Sequence, residues 1–345
     1  MFYGMHPNAE IDFRTTACDV MFHSLSELQM GSGGGGGADQ EEDTGSSPQA
    51  IAEAHLNDVM EKLADKGFDV DELKRSLDDI GPYQNVFMQE MDWMNVLITE
   101  IIRSLKELAL GFAGELTMSD AMETLQDSLF LDRIPPGWAK KAWPSKLSFG
   151  LWVSNFMLRL DQLNEWLNNP AEIPKVTWIS GMVNPQSFLT AVAQVAAQRN
   201  QWELDKLVTF TEVTKMMTTD EVGSAAREGA FIIGGSMMGA RWDTGSNSVE
   251  KSKPKELFCV MPIISVKGVS TEKGGDFPHQ LINKKEWTKF KGYFMCPCYK
   301  TTTRAGTLST TGHSTNFVMF VLLPRGMPVC FGSAKPRASL AQPKR

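Results

Sequence analysis

The sequence predicts an α+β chain, helical as far as Leu204 and completed by a small antiparallel β-barrel or sandwich. Three observations carry this. Apolar residues recur at three- and four-residue steps up to Arg199. Beyond Leu204, short segments rich in β-branched and aromatic residues alternate with Gly, Pro and Ser clusters. A Gly/Ser-rich acidic stretch from Gly31 to Pro48 sets the first helix apart from the rest, because such a composition cannot bury enough apolar surface to offset its ordering entropy.

The first helix, within residues 1–29, carries Ala17, Val20, Met21, Leu25 and Leu28 on one face. After the linker, helices are expected over 50–65 and 70–79. Gly81-Pro82 then opens a long helix whose Met94, Leu97, Ile98, Ile101, Leu105 and Leu108 form one stripe until Gly111. Thr117 or Ser119 caps the next helix, which ends near Phe130. A Pro-Pro turn follows, and a helix over 147–168 presents Trp152, Phe156, Leu160, Leu163 and Leu167 before Asn169-Pro170 stops it. A short strand over 176–179 leads to Asn184-Pro185, a cap and a first helical residue, and that helix runs to Arg199. Strands are expected at 207–213, 229–234, 257–266, 293–300 and 315–323.

A polypeptide of 345 residues is long enough for two or three domains and sizeable cores. No apolar run approaches the roughly 18 residues of a membrane span, and the N-terminus lacks a basic region followed by an apolar block, so neither secretion nor membrane insertion is expected. The five cysteines are odd in number and irregularly spaced, which argues for a reducing compartment. Cys296-x-Cys298 is too short for a zinc half-site, and no metal is expected there. Net charge is −7 but uneven: Ala38 to Asp79 holds 13 acidic and 4 basic residues, whereas Lys251 to Arg345 holds 16 basic and 4 acidic ones. Solvated loops account for this asymmetry more simply than an anionic partner.

No catalytic constellation emerges, so no catalytic, cofactor-binding or metal residue is assigned. The glycines from Gly31 to Gly37 precede Ala-Asp-Gln-Glu-Glu, and Gly-Lys-Ser/Thr, which a phosphate loop needs, occurs nowhere. Gly234-Gly-Ser-Met-Met-Gly239 matches a dinucleotide fingerprint only in part, because Arg241-Trp-Asp243 does not open a helix whose N-terminus could meet a phosphate; a tight strand connection is the better account. His313 lies in Ser309-Thr-Thr-Gly-His-Ser-Thr-Asn316, where a turn explains the hydroxyls better than a nucleophile does. Lys267, Lys273, Lys284, Lys285, Lys289 and Lys291, with Phe277, Trp287 and Phe290, form a basic and aromatic insertion that could hold single-stranded nucleic acid or an acidic tail, although a charged surface loop is the default.

Five of the nine tryptophans fall between Trp138 and Trp178, a density that points to packing. The strings around them carry a resemblance. Ile134-Pro-Pro-Gly-Trp138, Trp143-Pro-Ser145, Trp178-Ile-Ser-Gly-Met-Val-Asn-Pro-Gln-Ser-Phe-Leu-Thr190, Arg227-Glu-Gly-Ala-Phe-Ile-Ile-Gly-Gly-Ser-Met-Met-Gly-Ala-Arg-Trp-Asp243 and Cys296-Pro-Cys-Tyr-Lys300 leading to Thr307-Leu-Ser-Thr-Thr-Gly-His-Ser-Thr-Asn-Phe-Val318 resemble, in order and spacing, the C-terminal region of dynein heavy chains, the axonemal branch in particular. Tyr3-Gly-Met-His-Pro-Asn-Ala-Glu10 resembles the segment by which the sixth AAA+ module leads into its small helical subdomain.

The resemblance implies a layout: residues 1–30 end the AAA+ module and begin its helical lid, 31–48 are the linker, and 49–115 continue the lid. Residues 116–206 would be the helical part of the C-terminal domain and 207–324 its antiparallel barrel. The tail, 325–345, is basic and without strand or helix period, which would leave the barrel incomplete. The parent would be an ATP-driven, minus-end-directed microtubule motor of the ciliary or flagellar axoneme, in the cytoskeleton of the cytoplasm. ATP and magnesium would be bound elsewhere in it, and none within these residues. Its partners would be the remainder of the ring and the intermediate, light intermediate and light chains, with microtubules reached only through absent parts and neither nucleic acid nor membrane engaged. Trp138, Trp178, Asn184, Trp242 and Tyr299 would be packing anchors. Two other readings stand beside it: a free-standing, motorless module binding dynein or axonemal subunits, which a genuine start at Met1 would favour, and a hydrolase built on the His313 loop.

Overall fold

The computed structural model describes residues 7–32, 47–270, 293–301, 315–324 and 336–340. The 33–46 part of the linker, the His313 loop, most of the lysine-rich insertion and most of the tail lie outside them.

The helices follow the apolar periodicity closely. They are α1 (Pro7–Ser32), α2 (Pro48–Leu63), α3 (Val70–Ser76), α4 (Pro82–Phe112), α5 (Asp120–Phe130), α6 (Pro136–Ala139), α7 (Phe149–Leu167) and α8 (Pro185–Asn200). Their starts have local chemical causes. The hydroxyls of Ser47 and Ser119 and the carboxylate of Asp69 accept from the free N–H groups of Ala50, Met122 and Glu72, and proline begins α2, α4 and α8, where no N–H is needed. The stripe expected on α4 is its buried face: Met94, Leu97, Ile101, Leu105 and Leu108 are all shielded. It packs against α2, α5 and α8, and α8 in turn lies on the strands. No helix among the described residues is long and apolar enough to cross a membrane.

The strands are β1 (Thr177–Trp178), β2 (Leu207–Val213), β3 (Ala230–Ile233), β4 (Ser236–Met238), β5 (Ala240–Asp243), β6 (Ser248–Lys251), β7 (Phe258–Val260), β8 (Ile264–Ser270), β9 (Tyr293–Tyr299), β10 (Phe317–Pro324) and β11 (Arg337–Ser339). They form sheets in the orders β1-β3-β8-β2, β10-β9-β11-β4-β7 and β5-β6. All pairings are antiparallel except β1 with β3 and β11 with β9.

Three expectations change, and of the fold class the α+β layout with mostly antiparallel strands is met. The single strand over 257–266 is two, because Pro262 has no N–H to give a ladder and the flanking amides turn elsewhere, Met261 to the Gly235 carbonyl and Ile263 to that of Met216. The glycine-rich string after Ile233 is more than a connection, since Ser236–Met238 within it is β4. The tail, read as lacking period, supplies β11, which enters the five-stranded sheet between β9 and β4. The described strands do not close into a barrel. Side chains bridge where ladders stop: the Thr211 hydroxyl of β2 donates to the Phe320 carbonyl (3.1 Å) and accepts from the Leu322 amide (3.2 Å) of β10, and the Cys259 sulfur of β7 accepts from the Trp242 amide of β5 (3.4 Å).

Candidate functional site

The most unusual chemistry lies where the helical layer meets the strands, at residues 178–184. This segment is a strand end, a 3₁₀ turn (Ile179–Gly181) and the entry to α8, so its backbone polar groups point into the core without a ladder to receive them. Two buried charges receive them instead.

Arg159, on α7, is 4% exposed. Its Nη1 donates to the Gly181 carbonyl at 2.7 Å, its Nη2 to the Ser180 carbonyl at 2.8 Å, and its Nε to Asn155 Oδ1 at 2.9 Å. The guanidinium lies 3.8 Å from the centre of the Trp143 ring and 5.5 Å from that of Trp178. Glu90, on α4, is 3% exposed; its two carboxyl oxygens accept from the Val183 and Asn184 amides at 2.7 and 2.8 Å. That both oxygens accept is the geometry of a carboxylate. Glu90 therefore caps α8 from a different helix, with its charge against the positive end of the α8 dipole.

Burial dominates the electrostatics of both groups. It pushes the Arg159 pKa down to about 9, against the pull of the Glu90 charge. It raises that of Glu90 above the usual carboxylate value, against the two backbone amides and the Arg159 charge. At neutral pH Arg159 remains a cation, and the clamp holds one segment between α4 and α7.

The aromatic residues form the walls. Trp143 stacks on Trp152 at 5.4 Å, Trp152 on Trp138 at 6.1 Å and on Phe156 at 5.7 Å, while Phe87 stacks on Trp166 at 4.6 Å. Trp138 is fully buried, and its indole N–H donates to Ser104 Oγ at 2.9 Å, which ties the Pro-Pro turn to α4. Trp242 and Tyr299 are buried, and Tyr299 meets Phe317 edge-on at 6.0 Å. Trp178 is only half-buried, and Asn184 does not pack at all: its side chain is exposed and bonds Ser187 Oγ, while its backbone amide is the part that is held. Lys267, the described member of the basic insertion, sits 5.6 Å above the Phe210 ring.

Sequence reasoning missed Glu90 and Arg159, although each carries a signal. Each is a charge on an apolar helical stripe, Glu90 between Phe87 and Met94 and Arg159 between Phe156 and Leu163. A groove of about 590 Å³ runs beside the clamp between α4 and α8, lined by Asn85, Gln89, Asn184, Gln186, Thr190 and Gln194 among others, none of its lining being ionisable. Among the described residues no three His, Cys, Asp or Glu side chains gather as a metal site. Three hydrogen bonds to backbone or amide, two accepted amides and stacked rings make an arrangement that positions a backbone and has no reacting group to offer.

Residues 15–331 match the family described as the C-terminal domain of the dynein heavy chain. The sequence is 40% identical over 307 residues to the dynein beta chain of the flagellar outer arm of Chlamydomonas reinhardtii, a match covering 88% of the present polypeptide and 6% of that protein. It is 40% identical over 312 residues to the ciliary dynein beta chain of Heliocidaris crassispina (90% and 6%), and 36% identical over 305 residues to human dynein axonemal heavy chain 17 (88% and 6%). It thus spans about a sixteenth of the length of these relatives.

Proposed function

The protein belongs to the family of C-terminal domains of dynein heavy chains, and from that premise we propose that it is the structural C-terminal portion of an axonemal dynein heavy chain, bracing the motor ring without hydrolysing ATP itself. The observation that carries the bracing role is the clamp: one irregular segment is gripped from α4 by Glu90 and from α7 by Arg159, so the helical layer and the strands beyond β1 move together. The lack of any Gly-Lys-Ser/Thr string supports placing nucleotide hydrolysis elsewhere in the heavy chain. Relatives described as flagellar outer arm and ciliary dyneins support an axonemal, cytoskeletal location, with the rest of the motor complex as partner and microtubules as its track. Thr211 and Cys259, bridging strands at the sheet edges, support a barrel closed by side chains in place of a continuous ladder.

The test is the size and place of the native polypeptide, followed by an antibody against residues 128–200. The proposal expects a very large band in the axonemal fraction, extracted with dynein. A band at 38.3 kDa, the mass of these 345 residues, in the soluble fraction would overturn it and leave a motorless interaction module.

A further inference from the structure

The Asn8 side chain of helix α1 reaches a turn distant in sequence. Asn8 Nδ2 donates to the Glu256 carbonyl at 2.8 Å, to the Lys253 carbonyl at 3.2 Å and to Ser252 Oγ at 3.4 Å, while its Oδ1 accepts from the Lys255 amide at 2.7 Å. These four groups belong to the turn between β6 and β7. The turn is preorganised for this: Glu256 folds back so that its carboxylate accepts from the Lys253 amide at 3.0 Å, and Lys255 is held at φ +71°, a left-handed conformation rare outside glycine. The resulting cradle offers two carbonyls and a hydroxyl to a donor, and one amide to an acceptor. A primary carboxamide supplies both. A carboxylate would face two carbonyl oxygens, and an apolar side chain would leave the part-buried Glu256 carbonyl and Ser252 hydroxyl without this donor. By contrast, Phe13, Val20, Met21, Phe22 and Leu25 of α1 are each at least half exposed.

We propose that the turn between β6 and β7 is a receptor for the Asn8 carboxamide, and that through it the seating of α1 is communicated to the β layer. The turn leads directly into β7, whose Phe258, Cys259 and Val260 pair with β4. Unseating α1 removes the acceptor of the Lys255 amide and leaves the turn to the Lys253–Glu256 bonds alone, so the turn and the β7 edge that follows it loosen. The inference goes beyond the bracing role and does not depend on it.

Hydrogen exchange on the intact polypeptide tests it. In Asn8→Ala and Asn8→Asp, amides of residues 252–257 should exchange at least about tenfold faster, as expected for loss of a local closing bond, those of 258–260 should follow by several-fold, and α4 should be unchanged. Asn8→Gln, which keeps the carboxamide, should restore part of the protection. Unchanged exchange at 252–257 in both Asn8→Ala and Asn8→Asp would overturn the receptor, and faster exchange there with 258–260 unaffected would overturn the communication. If Asn8→Ala unfolds α4 as well, Asn8→Gln decides: exchange at 252–257 as fast as in Asn8→Asp overturns the proposal, and slower exchange sustains it.

Discussion

Replacing Arg159 by Met keeps most of the side-chain volume on α7 and removes the charge. The structure sets the magnitude. Three hydrogen bonds disappear, two of them to carbonyls of an irregular segment with little else to donate to them, together with the stack on Trp143. Glu90 then keeps its buried charge without the nearby cation. Removing one member of a buried charged arrangement costs about 3–5 kcal/mol, because the groups left behind are desolvated and uncompensated. For a domain of this size each kcal/mol moves the midpoint by roughly 2–4 °C, so a loss of about 6–20 °C is expected. Thermal unfolding followed by near-ultraviolet circular dichroism reads it through the tryptophans, and urea unfolding gives the free energy directly. A single-variant loss below about 1 kcal/mol, the scale of an exposed ion pair, would refute the argument that the segment is held by these two charges.

Glu90→Gln tests the pH linkage. Burial raises the Glu90 pKa in the folded state, so the fold takes up this proton before the unfolded polypeptide does; the group's stabilising contribution is complete below its unfolded value of 4.5 and is lost as pH rises through the folded one. The stability difference between wild type and Glu90→Gln should therefore shift toward wild type as pH is lowered from neutrality, and a difference independent of pH would count against it. Thr211→Val removes the hydroxyl that serves both Phe320 and Leu322; it should cost about 1–3 kcal/mol in urea unfolding and speed exchange at the Leu322 amide, and intact protection there would argue against the bridge. Gly234→Ala should destabilise by more than about 2 kcal/mol, because the position has φ +110° and a Cβ there would lie 2.3 Å from Ser180 Oγ and 2.6 Å from Trp178 Cδ1; a melting point like that of wild type would show that the contact is not tight. In native protein at pH 8, iodoacetamide should label exposed Cys18 and spare Cys298, which is buried with its thiol pushed up to about 12. Peptide mapping with equal labelling of the two would refute that burial.

The helices were legible because each buries a long stripe whose period survives in the sequence: α4 repeats its apolar positions over many turns, and Gly81-Pro82 marks its start. The long strands β2, β9 and β10 were legible for the same reason at period two. The short ones were not. Arg337-Ala-Ser339 has no alternation to detect, and it is a strand only because β9 and β4 offer edges on both sides of it. Met237 is fully buried within a glycine-rich string for a similar reason, since β7 and β11 enclose β4. Local propensity is weak over three residues, and tertiary pairing overrides it. The clamp was harder still to read. Glu90 and Arg159 lie 69 positions apart in the sequence and meet no motif; each was visible only as a charge where the stripe calls for an apolar residue.

The resemblance strings gain a physical account from the same geometry. Trp178-Ile-Ser-Gly-Met-Val-Asn-Pro185 is neither strand nor helix, so it must be specified atom by atom: carbonyls at Ser180 and Gly181 read by a guanidinium, amides at Val183 and Asn184 read by a carboxylate, and a proline to begin α8. Gly181 has no Cβ because one would fall 2.3 Å from the Trp178 ring, and Gly234 approaches the same ring from β3. An apolar core could bury this segment with less desolvation, but it could not tell one backbone register from the next. A fork of donors facing carbonyls on one side and paired acceptors facing amides on the other admits a single register. Four hydrogen bonds from two buried charges therefore fix the junction between helices and strands at one backbone position.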